Sequence, residues 1–439
     1  MSVHTAVILA GGRGTRLASV AGDVPKALVP IGGKPVLEHQ LELLASAGIR
    51  DVRIFAGHLA GKIRDFTGDG SRFGLRVAIE VEDRPLGSAG AVLKKLDSLP
   101  EHFLVLYGDT MLAVDLGRFS RAHLQRGADL TTFVHPNDHP HDSDLVETDA
   151  KGRVTALHPY PHPEGCHFGN LVNAALYAVR REALRPWAGQ AVKRDFAKDV
   201  LPALLAAGSP LEAYRSTEYI KDMGTPARLA KVSNDWQAGR IHFRGEHHRD
   251  PAVFLDRDGT LNVENGFIRS PDQLEILPGA ADALKKLRAA GFRLVVLTNQ
   301  PVIARGEASE EDVEAVHRKL EWELGFQGAY LDAIYYCPHH PDRGFPGERP
   351  ELKMPCECRK PGLGLLHQAC REVGLDPARS WMVGDTTLDL ELARRGGLHS
   401  VLVQTGAAGH DGKFPSAKSD HTVPDIAAAA DLILEATEG

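Results

Sequence analysis

Two aspartates that are suited to phosphoryl transfer, Asp256 and Asp258, follow an apolar run at residues 253–255, and Gly259 comes directly after them. The apolar run predicts a buried parallel strand, and Gly259 allows a sharp turn whose backbone N–H groups can cradle a phosphate. A carboxylate that attacks a phosphate needs its charge repulsion offset, so the pair indicates Mg²⁺ with Asp256 as nucleophile and Asp258 as general acid and base. The same Asp-x-Asp-Gly pattern also occurs in simple turns, so this motif alone leaves both interpretations open.

Further polar side chains follow apolar runs later in the same half of the chain. They are Thr298, Asn299 and Gln300 after one run, the cations Arg359 and Lys360, and Asp385 after another run. Ligands of open α/β sheets bind beside the carboxyl ends of the strands. These groups are therefore predicted to converge on the aspartate pair.

In this order the motifs resemble those of the haloacid dehalogenase (HAD) superfamily of aspartate-nucleophile phosphatases. The resemblance covers the second half of the chain. It implies that two side chains hold the phosphoryl oxygens, Thr298 and Lys360. It also implies a Mg²⁺ site made by Asp256, Asp385 and the main-chain carbonyl of Asp258. Asp258 is the second aspartate of the first motif, which begins at Asp256. An aspartate at this position is typical of hydrolases in this superfamily rather than of ion pumps.

Three of the five cysteines fall in one loop together with a histidine. Cys337-x-His339 followed by Cys356-x-Cys358 supplies three thiolates and one imidazole, which is the closed tetrahedral set of structural Zn²⁺ sites. The segment between them is rich in proline, glycine and charge, so a metal would supply its stability, on the order of 10 kcal/mol in small zinc modules. Scattered loop thiols are the alternative.

Within the HAD superfamily this loop resembles that of the D-glycero-D-manno-heptose 1,7-bisphosphate 7-phosphatases, and also that of their relatives, the histidinol phosphatases. The resemblance implies substrate contacts from Asn299, Gln300, Arg305 and Arg359. Pro301 and Val302 depart from the heptose enzymes, which have smaller or more polar residues there. The spacing of the motifs leaves room for the zinc loop and a helix near residues 309–324, but not for a large cap domain.

A glycine-rich loop follows an apolar run near the start of the chain. It consists of Gly11, Gly12, Arg13, Gly14, Thr15 and Arg16. The glycines let backbone N–H groups approach a triphosphate, and Arg13, Arg16 and Lys26 would neutralise it. Dinucleotide-binding folds have similar loops, but here no acidic residue ends a strand about 20 residues later.

The loop and Lys26 together resemble the signature of sugar-1-phosphate nucleotidylyltransferases, which release pyrophosphate from a nucleoside triphosphate. Gly87 lies in a segment that resembles the base-contacting loop of this family, and Asn173 resembles a sugar-contacting position. The resemblance implies that Asp109 and Asp222 share a Mg²⁺. No residue needs to act as nucleophile, because the sugar phosphate attacks directly and the protein supplies position and charge.

One position departs from that family. Tyr160 stands where a lysine that holds the sugar phosphate is expected. Loss of a lysine contact costs a few kcal/mol of transition-state binding unless Lys193, Arg194 or Lys221 replaces it. A nucleotide-sugar-binding module without catalytic activity therefore remains an alternative for the first half of the chain.

The length of 439 residues and a hydrophobic content of 43% suit two α/β domains. We predict a Rossmann-like, GT-A-like nucleotidyltransferase domain at residues 1–232 and a linker at 233–250. Residues 251–439 are predicted to form a HAD-like Rossmannoid domain with a zinc-binding loop and no large cap.

Charge and hydropathy narrow the expected partners. The net charge is −7 without a basic block, so nucleic acid is not an expected partner. No apolar run approaches the ~20 residues of a membrane span, and the thiols and the metal site predict the reducing cytoplasm. Sugar phosphates and a nucleoside triphosphate are the expected ligands, and the oligomeric state is left open.

The two resemblances together predict a bifunctional enzyme of nucleotide-activated heptose biosynthesis. The phosphatase would produce a sugar 1-phosphate and the nucleotidylyltransferase would consume it. The first half resembles the D-glycero-α-D-manno-heptose 1-phosphate guanylyltransferases, which make GDP-D-glycero-α-D-manno-heptose, so GTP is the favoured donor. Another sugar, or UTP, CTP or ATP as donor, is the first alternative. A phosphatase for histidinol phosphate, or one fused to a non-catalytic nucleotide-sugar-binding module, is the second.

Overall fold

The computed structural model describes residues 3–12, 15–17, 22–57, 59–242 and 248–438. The chain divides into two compact units. The first unit comprises Met1–His135, Asp144–Pro159 and Leu171–His247, and the second comprises Pro136–Ser143, Tyr160–Asn170 and His248–Gly439. Two short segments from the first half of the sequence therefore belong to the second unit.

The strands of the first unit are β1 (Thr5–Ala10), β2 (Pro30–Ile31), β3 (Lys34–Pro35), β4 (Asp51–Ala56), β5 (Arg76–Val81), β6 (His102–Tyr107), β7 (Thr110–Ala113), β8 (Leu130–His135), β9 (Leu145–Thr148), β10 (Val154–His158), β11 (Val172–Arg180), β12 (Leu211–Arg215) and β13 (Tyr219–Asp222). Its helices are α1 (Val36–Ser46), α2 (Ala60–Thr67), α3 (Gly87–Lys94), α4 (Leu116–Arg126), α5 (Leu201–Ala206) and α6 (Pro226–Gln237).

The main sheet of this unit has the strand order β10-β9-β11-β6-β1-β4-β5, and β12 joins it through β8, which pairs with β11. Strands β6, β1, β4 and β5 are parallel, whereas β11 runs antiparallel to β6. Strands β7 and β13 form a separate antiparallel pair. The parallel strands bring their carboxyl ends to one edge, where ligands of such sheets bind.

Alternate side chains of β1 enter different cores. Ala6 and Ile8 pack with Leu41 of α1, whereas Val7 packs with Val92 of α3. Full burial of an aliphatic side chain of this size contributes about 1.5–3 kcal/mol. Because both faces of β1 are covered, the loop that follows it starts from a rigid strand.

The second unit contains the strands β14 (Ala252–Leu255), β15 (Arg293–Asn299), β16 (Ala333–Cys337), β17 (Trp381–Gly384), β18 (His399–Val403) and β19 (His421–Val423). Its helices are α7 (Ala280–Ala289), α8 (Glu310–Phe326), α9 (Gly364–Ala369), α10 (Thr387–Gly396) and α11 (Ile426–Glu438). Its sheet is parallel in the order β16-β15-β14-β17-β18-β19.

Strand β14 is buried on both faces, as its continuous apolar run predicts. Val253 and Leu255 pack with Leu284 of α7, whereas Phe254 packs with Leu366 of α9. Between β15 and β17, residues 300–380 form α8, β16, the cysteine loop and α9, and no cap domain is inserted there. The predicted fold class is confirmed for both halves of the chain.

The two short segments of the second unit pack against α8. His141 stacks on Phe326 with ring centroids 4.8 Å apart, and Phe168 meets Trp322 edge-on at 6.1 Å. Tyr160 begins the second of these segments, and 49% of the residue is exposed. The residue that replaces the expected lysine is therefore part of the second unit.

Candidate active sites

Four of the predicted phosphatase residues stand at the carboxyl ends of neighbouring parallel strands. Asp256 follows β14, Thr298 and Asn299 end β15, and Asp385 follows β17. Strand β14 pairs with both β15 and β17, so these ends meet at one edge of the sheet. The structure thus brings together residues that are 129 positions apart, from 256 to 385, as the motif order predicts.

Lys360 places a buried positive charge at this edge. Its Nζ lies 2.9 Å from Asp256 Oδ2 and 2.6 Å from Asp389 Oδ1. Burial lowers the pKa of Lys360, but the two carboxylates raise it further, to about 12, so the lysine is charged. Asn299 fixes its backbone: the Lys360 N–H donates to Asn299 Oδ1 at 2.9 Å and Asn299 Nδ2 donates to the Lys360 carbonyl at 3.2 Å.

Three carboxylates surround this lysine with an excess of negative charge. Ligand oxygens of Asp256, Asp385 and Asp389 lie within 4.8 Å of one another. Burial raises the pKa of Asp256 to about 7 against the opposing effect of Lys360, and burial with the neighbouring carboxylates raises the pKa of Asp385 to about 8. One lysine does not offset three carboxylates, so this donor set fits a divalent cation.

Asp385 carries the clearest sign of such a cation. Its Oδ1 is buried and has no hydrogen-bond partner among the described residues. A Cβ at Gly259 or Gly406 would lie 2.4 or 2.3 Å from Asp385 Oδ2, so only glycine fits at these two positions. Unlike Asp385, Asp389 also has a structural role, because it caps α10 by accepting hydrogen bonds from the Thr386 N–H and hydroxyl.

The side chain of Asp258 is held apart from that carboxylate cluster. It accepts hydrogen bonds from Arg257 at 3.0 and 2.8 Å, from Asn262 at 3.0 Å and from Gln300 at 3.0 Å. Arg257 is fully buried and also contacts His317, whose pKa burial and the arginine lower well below its usual range. Sequence reasoning missed Arg257, Asn262 and His317, although Arg257 stands between the two predicted aspartates.

Arg305 contacts two aromatic rings. Its guanidinium carbon is 4.2 Å from the Phe267 ring centroid and 4.5 Å from that of Phe345. Arg359 donates to the carbonyl of His339 at 3.2 Å, and burial together with Arg305 lowers the pKa of Arg359. Two predicted substrate contacts thus form one cationic patch, which is suited to a second phosphate.

The four predicted metal ligands lie together in the cysteine loop. The sulfur atoms of Cys337, Cys356 and Cys358 lie 3.2–3.5 Å apart, and His339 Nδ1 is 3.6 and 3.3 Å from Cys337 and Cys358. Tetrahedral ligands around a metal at ~2.3 Å are separated by roughly 3.5–3.8 Å, and the observed separations lie within this range or at most about 0.3 Å below it, so a small adjustment lets the four atoms share one ion. The carbonyl that Arg359 contacts belongs to one of these ligands, His339.

A second candidate site is a cavity of about 290 Å³ in the first unit. Five predicted nucleotide-binding residues line it: Gly11, Gly12, Lys26, Gly87 and Asp109. Thr15 and Arg16 lie in a short 3₁₀ turn after the glycine loop, whereas Arg13 and Gly14 are outside the described residues. The cavity is also lined by Glu82 and Asp195, which the sequence analysis did not predict.

Gly87 is required by the geometry of this cavity. It has φ +75°, and a Cβ there would lie 2.3 Å from the carbonyl oxygen of Arg194. That oxygen accepts from the N–H groups of Ala89 and Gly90 at 3.0 and 3.3 Å. The first turn of α3 is therefore fixed against the chain at Arg194.

Backbone pairing brings the two predicted aspartates of this unit together. Asp222 pairs with Thr110, directly after Asp109, in the β7–β13 register. Asp109 pairs with Lys26 at 3.0 Å, and Asp222 pairs with Arg228 at 2.9 Å. Burial raises the pKa of Asp222, but Arg228 and the Gly224 N–H lower it more, so the net shift is downward.

Asn173, the predicted sugar contact, lies on β11, and its amide forms hydrogen bonds with neighbouring side chains. Its Oδ1 accepts from the Thr132 hydroxyl at 3.0 Å, and its Nδ2 donates to Tyr177 at 3.0 Å. Tyr177 is fully buried. The amide of Asn173 is thus engaged within the sheet.

The fold and sites define a nucleotidyltransferase joined to a HAD-type phosphatase. Residues 5–239 match the nucleotidyl transferase family model, and residues 357–429 match the HAD-hydrolase-like model. A stretch of 157 residues is 45% identical to the D-glycero-beta-D-manno-heptose-1,7-bisphosphate 7-phosphatase of Yersinia pestis, covering 36% of this chain and 81% of that protein. The chain therefore belongs to the nucleotidyl transferase family and, through its second half, to the family of that phosphatase.

Two solved structures are also similar to parts of the chain. HddC from Yersinia pseudotuberculosis is 26% identical, with 53% of this chain and 100% of that chain covered and a TM-score of 0.46. The D,D-heptose 1.7-bisphosphate phosphatase from B. bronchiseptica, complexed with magnesium and phosphate, is 34% identical, with coverages of 42% and 99% and a TM-score of 0.37. Within the described part of the chain, no helix is long and apolar enough to cross a membrane.

Proposed function

We propose that this enzyme removes the 7-phosphate of D-glycero-D-manno-heptose 1,7-bisphosphate and then transfers a guanylyl group from GTP to the heptose 1-phosphate. The products are phosphate, GDP-heptose and pyrophosphate. The observation that carries the proposal is the presence of both families in one chain. The phosphatase relative is named for the release of a 7-phosphate, which leaves the sugar 1-phosphate that a nucleotidylyltransferase uses.

In the phosphatase site, Asp256 attacks the phosphorus and Lys360 offsets the charge of the phosphoryl oxygens. Mg²⁺ held by Asp256, Asp385 and the carbonyl of Asp258 would neutralise further negative charge. Asp258 donates a proton to the leaving alkoxide and then takes one from water, which hydrolyses the aspartyl phosphate. The Thr298 hydroxyl accepts a hydrogen bond from Gln300 Nε2 at 2.9 Å. Because the hydroxyl oxygen is the acceptor in this bond, the Thr298 proton is directed toward a phosphoryl oxygen.

The 1-phosphate of the substrate would bind the cationic patch of Arg305 and Arg359. Phe267 and Phe345 both contact the Arg305 guanidinium, which restricts the orientation of its fork. Arg359 is anchored at His339 in the metal loop. A substrate that carries a second phosphate is therefore favoured over a monophosphate.

In the nucleotidyltransferase site, the protein positions the nucleoside triphosphate and the sugar 1-phosphate and supplies positive charge. Gly11 and Gly12 allow the triphosphate to approach the backbone, and Lys26, which also lines the cavity, offsets the charge of the triphosphate. Asp109 and Asp222 would hold a Mg²⁺, which would offset the negative charge of the reacting phosphates. The sugar phosphate oxygen then attacks the α-phosphorus and pyrophosphate leaves.

Both sites must accept the same anomer, because hydrolysis at carbon 7 leaves carbon 1 unchanged. The phosphatase relative is named for the β-anomer, whereas the resemblance of the first half is to enzymes that use an α-linked sugar 1-phosphate. The proposal therefore predicts one preferred anomer for both reactions.

The decisive experiment offers the purified protein each anomer of heptose 1,7-bisphosphate with Mg²⁺ and GTP, UTP, CTP or ATP in turn. Phosphate release followed by GTP-dependent pyrophosphate release with the same anomer would support the proposal. Faster hydrolysis of histidinol phosphate would contradict the phosphatase assignment. If none of the four nucleotides gives pyrophosphate release while phosphate release persists, the first unit is a non-catalytic binding module.

We further propose that the cysteine loop holds Zn²⁺, and we predict the result of removing one ligand. Cys356→Ser should lose the single zinc ion per chain and lower the melting temperature of the phosphatase unit by roughly 10 °C, for a loss of about 3 kcal/mol. Phosphatase activity should also fall, because Arg359 and Lys360 follow the loop. Metal analysis and calorimetry measure these effects. Cys370→Ser is the matched control, because Cys370 lies outside the ligand set.

The raised carboxyl pKa values predict a pH-dependent Mg²⁺ affinity. Asp256 and Asp385 hold protons below about pH 7–8 without metal, so Mg²⁺ must displace them. The Mg²⁺ concentration for half-maximal phosphatase activity should therefore fall as pH rises from about 6 to 8, by up to tenfold per unit for each proton displaced. Above about pH 8 it should level off. Metal titrations at fixed pH test this, and a constant half-saturation value would contradict it.

The proposed substrates and the state of the cysteines both favour a cytoplasmic location for the enzyme. Nucleoside triphosphates and sugar phosphates are cytoplasmic metabolites, and none of the five cysteines, all of which lie in the described ranges, forms a disulfide. We therefore propose a cytoplasmic enzyme whose partners are these small molecules.

A further inference from the structure

Arg257 is a fully buried cation that stands between the two aspartates of the phosphatase site. Its Nε donates to Asp258 Oδ1 at 3.0 Å, and its Nη2 donates to Asp258 Oδ2 at 2.8 Å. A planar fork that reaches both oxygens fixes the plane of a carboxyl group as well as its position. Asn262 and Gln300 each reach one oxygen, so Arg257 is the donor within the described part of the chain that sets the orientation of Asp258.

The third nitrogen of this guanidinium faces His317. Arg257 Nη1 lies 3.1 Å from His317 Nε2. Because an arginine can only donate, the imidazole must accept through Nε2 and must be neutral. The pKa of His317 agrees with this, since burial, Arg257 and Arg318 lower it well below its usual range. The guanidinium therefore binds Asp258 through two nitrogens and is held by His317 through the third.

Two elements of the fold keep His317 in place. It is buried on α8, whose Val316 and Leu320 pack into the core of the second unit. Its ring also contacts that of Tyr336 on β16, with the ring centroids 5.4 Å apart. An imidazole that is already fixed by packing can fix the guanidinium in turn, because little further ordering is needed when the hydrogen bond forms.

We propose that His317 is a positioning residue of the phosphatase: by accepting a hydrogen bond from Arg257, it keeps the carboxyl group of Asp258 in one orientation. The inference rests on the proposed phosphatase mechanism, in which Asp258 gives a proton to the leaving oxygen. Such a transfer requires the donor to be aligned within hydrogen-bonding distance of that oxygen. Without an acceptor at position 317, Nη1 of Arg257 would be a buried donor without a partner, and the guanidinium would turn toward another acceptor.

Two substitutions at this position test the proposal. His317→Leu removes the acceptor at similar volume, whereas His317→Gln places an acceptor near the position of Nε2. With the sugar bisphosphate, kcat/KM should fall roughly 30-fold in His317→Leu, which is part of the roughly 10²–10⁴-fold that general acid catalysis contributes. His317→Gln should recover most of this loss. Arg318→Gln is the matched control and should be as active as the wild type, because Arg318 is the next residue on α8 and pairs with Glu311 at 2.5 Å.

An ester with a good leaving group separates positioning from a general structural role. p-Nitrophenolate leaves without protonation, whereas a sugar alkoxide needs a proton. The parameter kcat/KM includes only the steps up to departure of the leaving group, so hydrolysis of the aspartyl phosphate does not affect it. His317→Leu should therefore cleave p-nitrophenyl phosphate with a kcat/KM within about threefold of the wild type. This retained activity would also show that the variant is folded.

Three results would overturn the role of His317. They are equal losses with both esters in His317→Leu, a His317→Gln variant no more active than His317→Leu, and wild-type hydrolysis of the sugar bisphosphate by His317→Leu. Failure of the proposed function has a different signature, because the wild-type protein would then release no phosphate from the sugar bisphosphate. Histidinol phosphate, which is also an alkyl phosphate, would take its place in the same comparison.

Discussion

Phosphate release from the sugar bisphosphate is expected to fall roughly 10⁴-fold or more in Asp256→Asn. An amide cannot form the covalent phosphoryl intermediate, and its neutral oxygen is a weaker metal ligand. Because the two activities reside in separate folds, GTP-dependent pyrophosphate release from heptose 1-phosphate should remain at the wild-type rate. Coupled assays for phosphate and for pyrophosphate measure both on one preparation.

The stability of this variant distinguishes lost chemistry from lost structure. Asp256 is one of three buried carboxylates around Lys360, so removing its charge relieves repulsion and still leaves the Asp389 contact at 2.6 Å. The melting temperature without Mg²⁺ should therefore stay equal or rise. Asp258→Asn is the contrasting variant, because it leaves the fully buried Arg257 with a weaker partner. It should lose activity and also about 3 kcal/mol of stability, or roughly 10 °C. A destabilised Asp256→Asn would contradict this account.

The sequence predicts the parts of both sites that depend on strand ends. Asp256, Thr298 and Asp385 each follow an apolar run, and parallel neighbours must bring such positions to one edge. The metal ligands are equally accessible to sequence reasoning, because Cys337-x-His339 and Cys356-x-Cys358 are two short local patterns. In each case the chemistry and the local structure are specified by adjacent residues.

The residues that the sequence did not reveal act through contacts that are distant along the chain. Phe345 holds Arg305 from a loop that has no regular periodicity, and Glu82 meets the glycine loop across 71 positions, from 11 to 82. Asn299 shows what the fold adds to a predicted residue. The motif predicts a substrate contact, and the fold shows that Oδ1 and Nδ2 of its amide also each form one hydrogen bond with the backbone of Lys360. A pattern identifies the motif, but only the fold shows which polar atoms remain available.

Asp109→Asn should lower GTP-dependent pyrophosphate release roughly 10³-fold or more while phosphate release stays unchanged. Asp109 lines the nucleotide cavity, contacts Lys26 at 3.0 Å and stands beside Asp222 through the β7–β13 pairing. Replacing its charge removes half of the proposed metal-binding pair at the point where charge develops in the transition state. Steady-state pyrophosphate assays at saturating heptose 1-phosphate measure the effect.

Binding of GTP separates the proposed role of Asp109 from a role in shaping the cavity. Once Asp109 is neutral, Lys26 loses a competing anion and becomes freer to contact the triphosphate, so the affinity for GTP should change only a few fold while turnover collapses. Asp97→Asn is the matched control, since Asp97 is largely exposed and pairs at the surface with Arg185, where such pairs contribute little. If GTP binding and turnover fall equally in Asp109→Asn, this carboxylate maintains the shape of the cavity and does not act on the reacting phosphates. A turnover loss at preserved binding assigns Asp109 to the transition state, as the proposed mechanism requires.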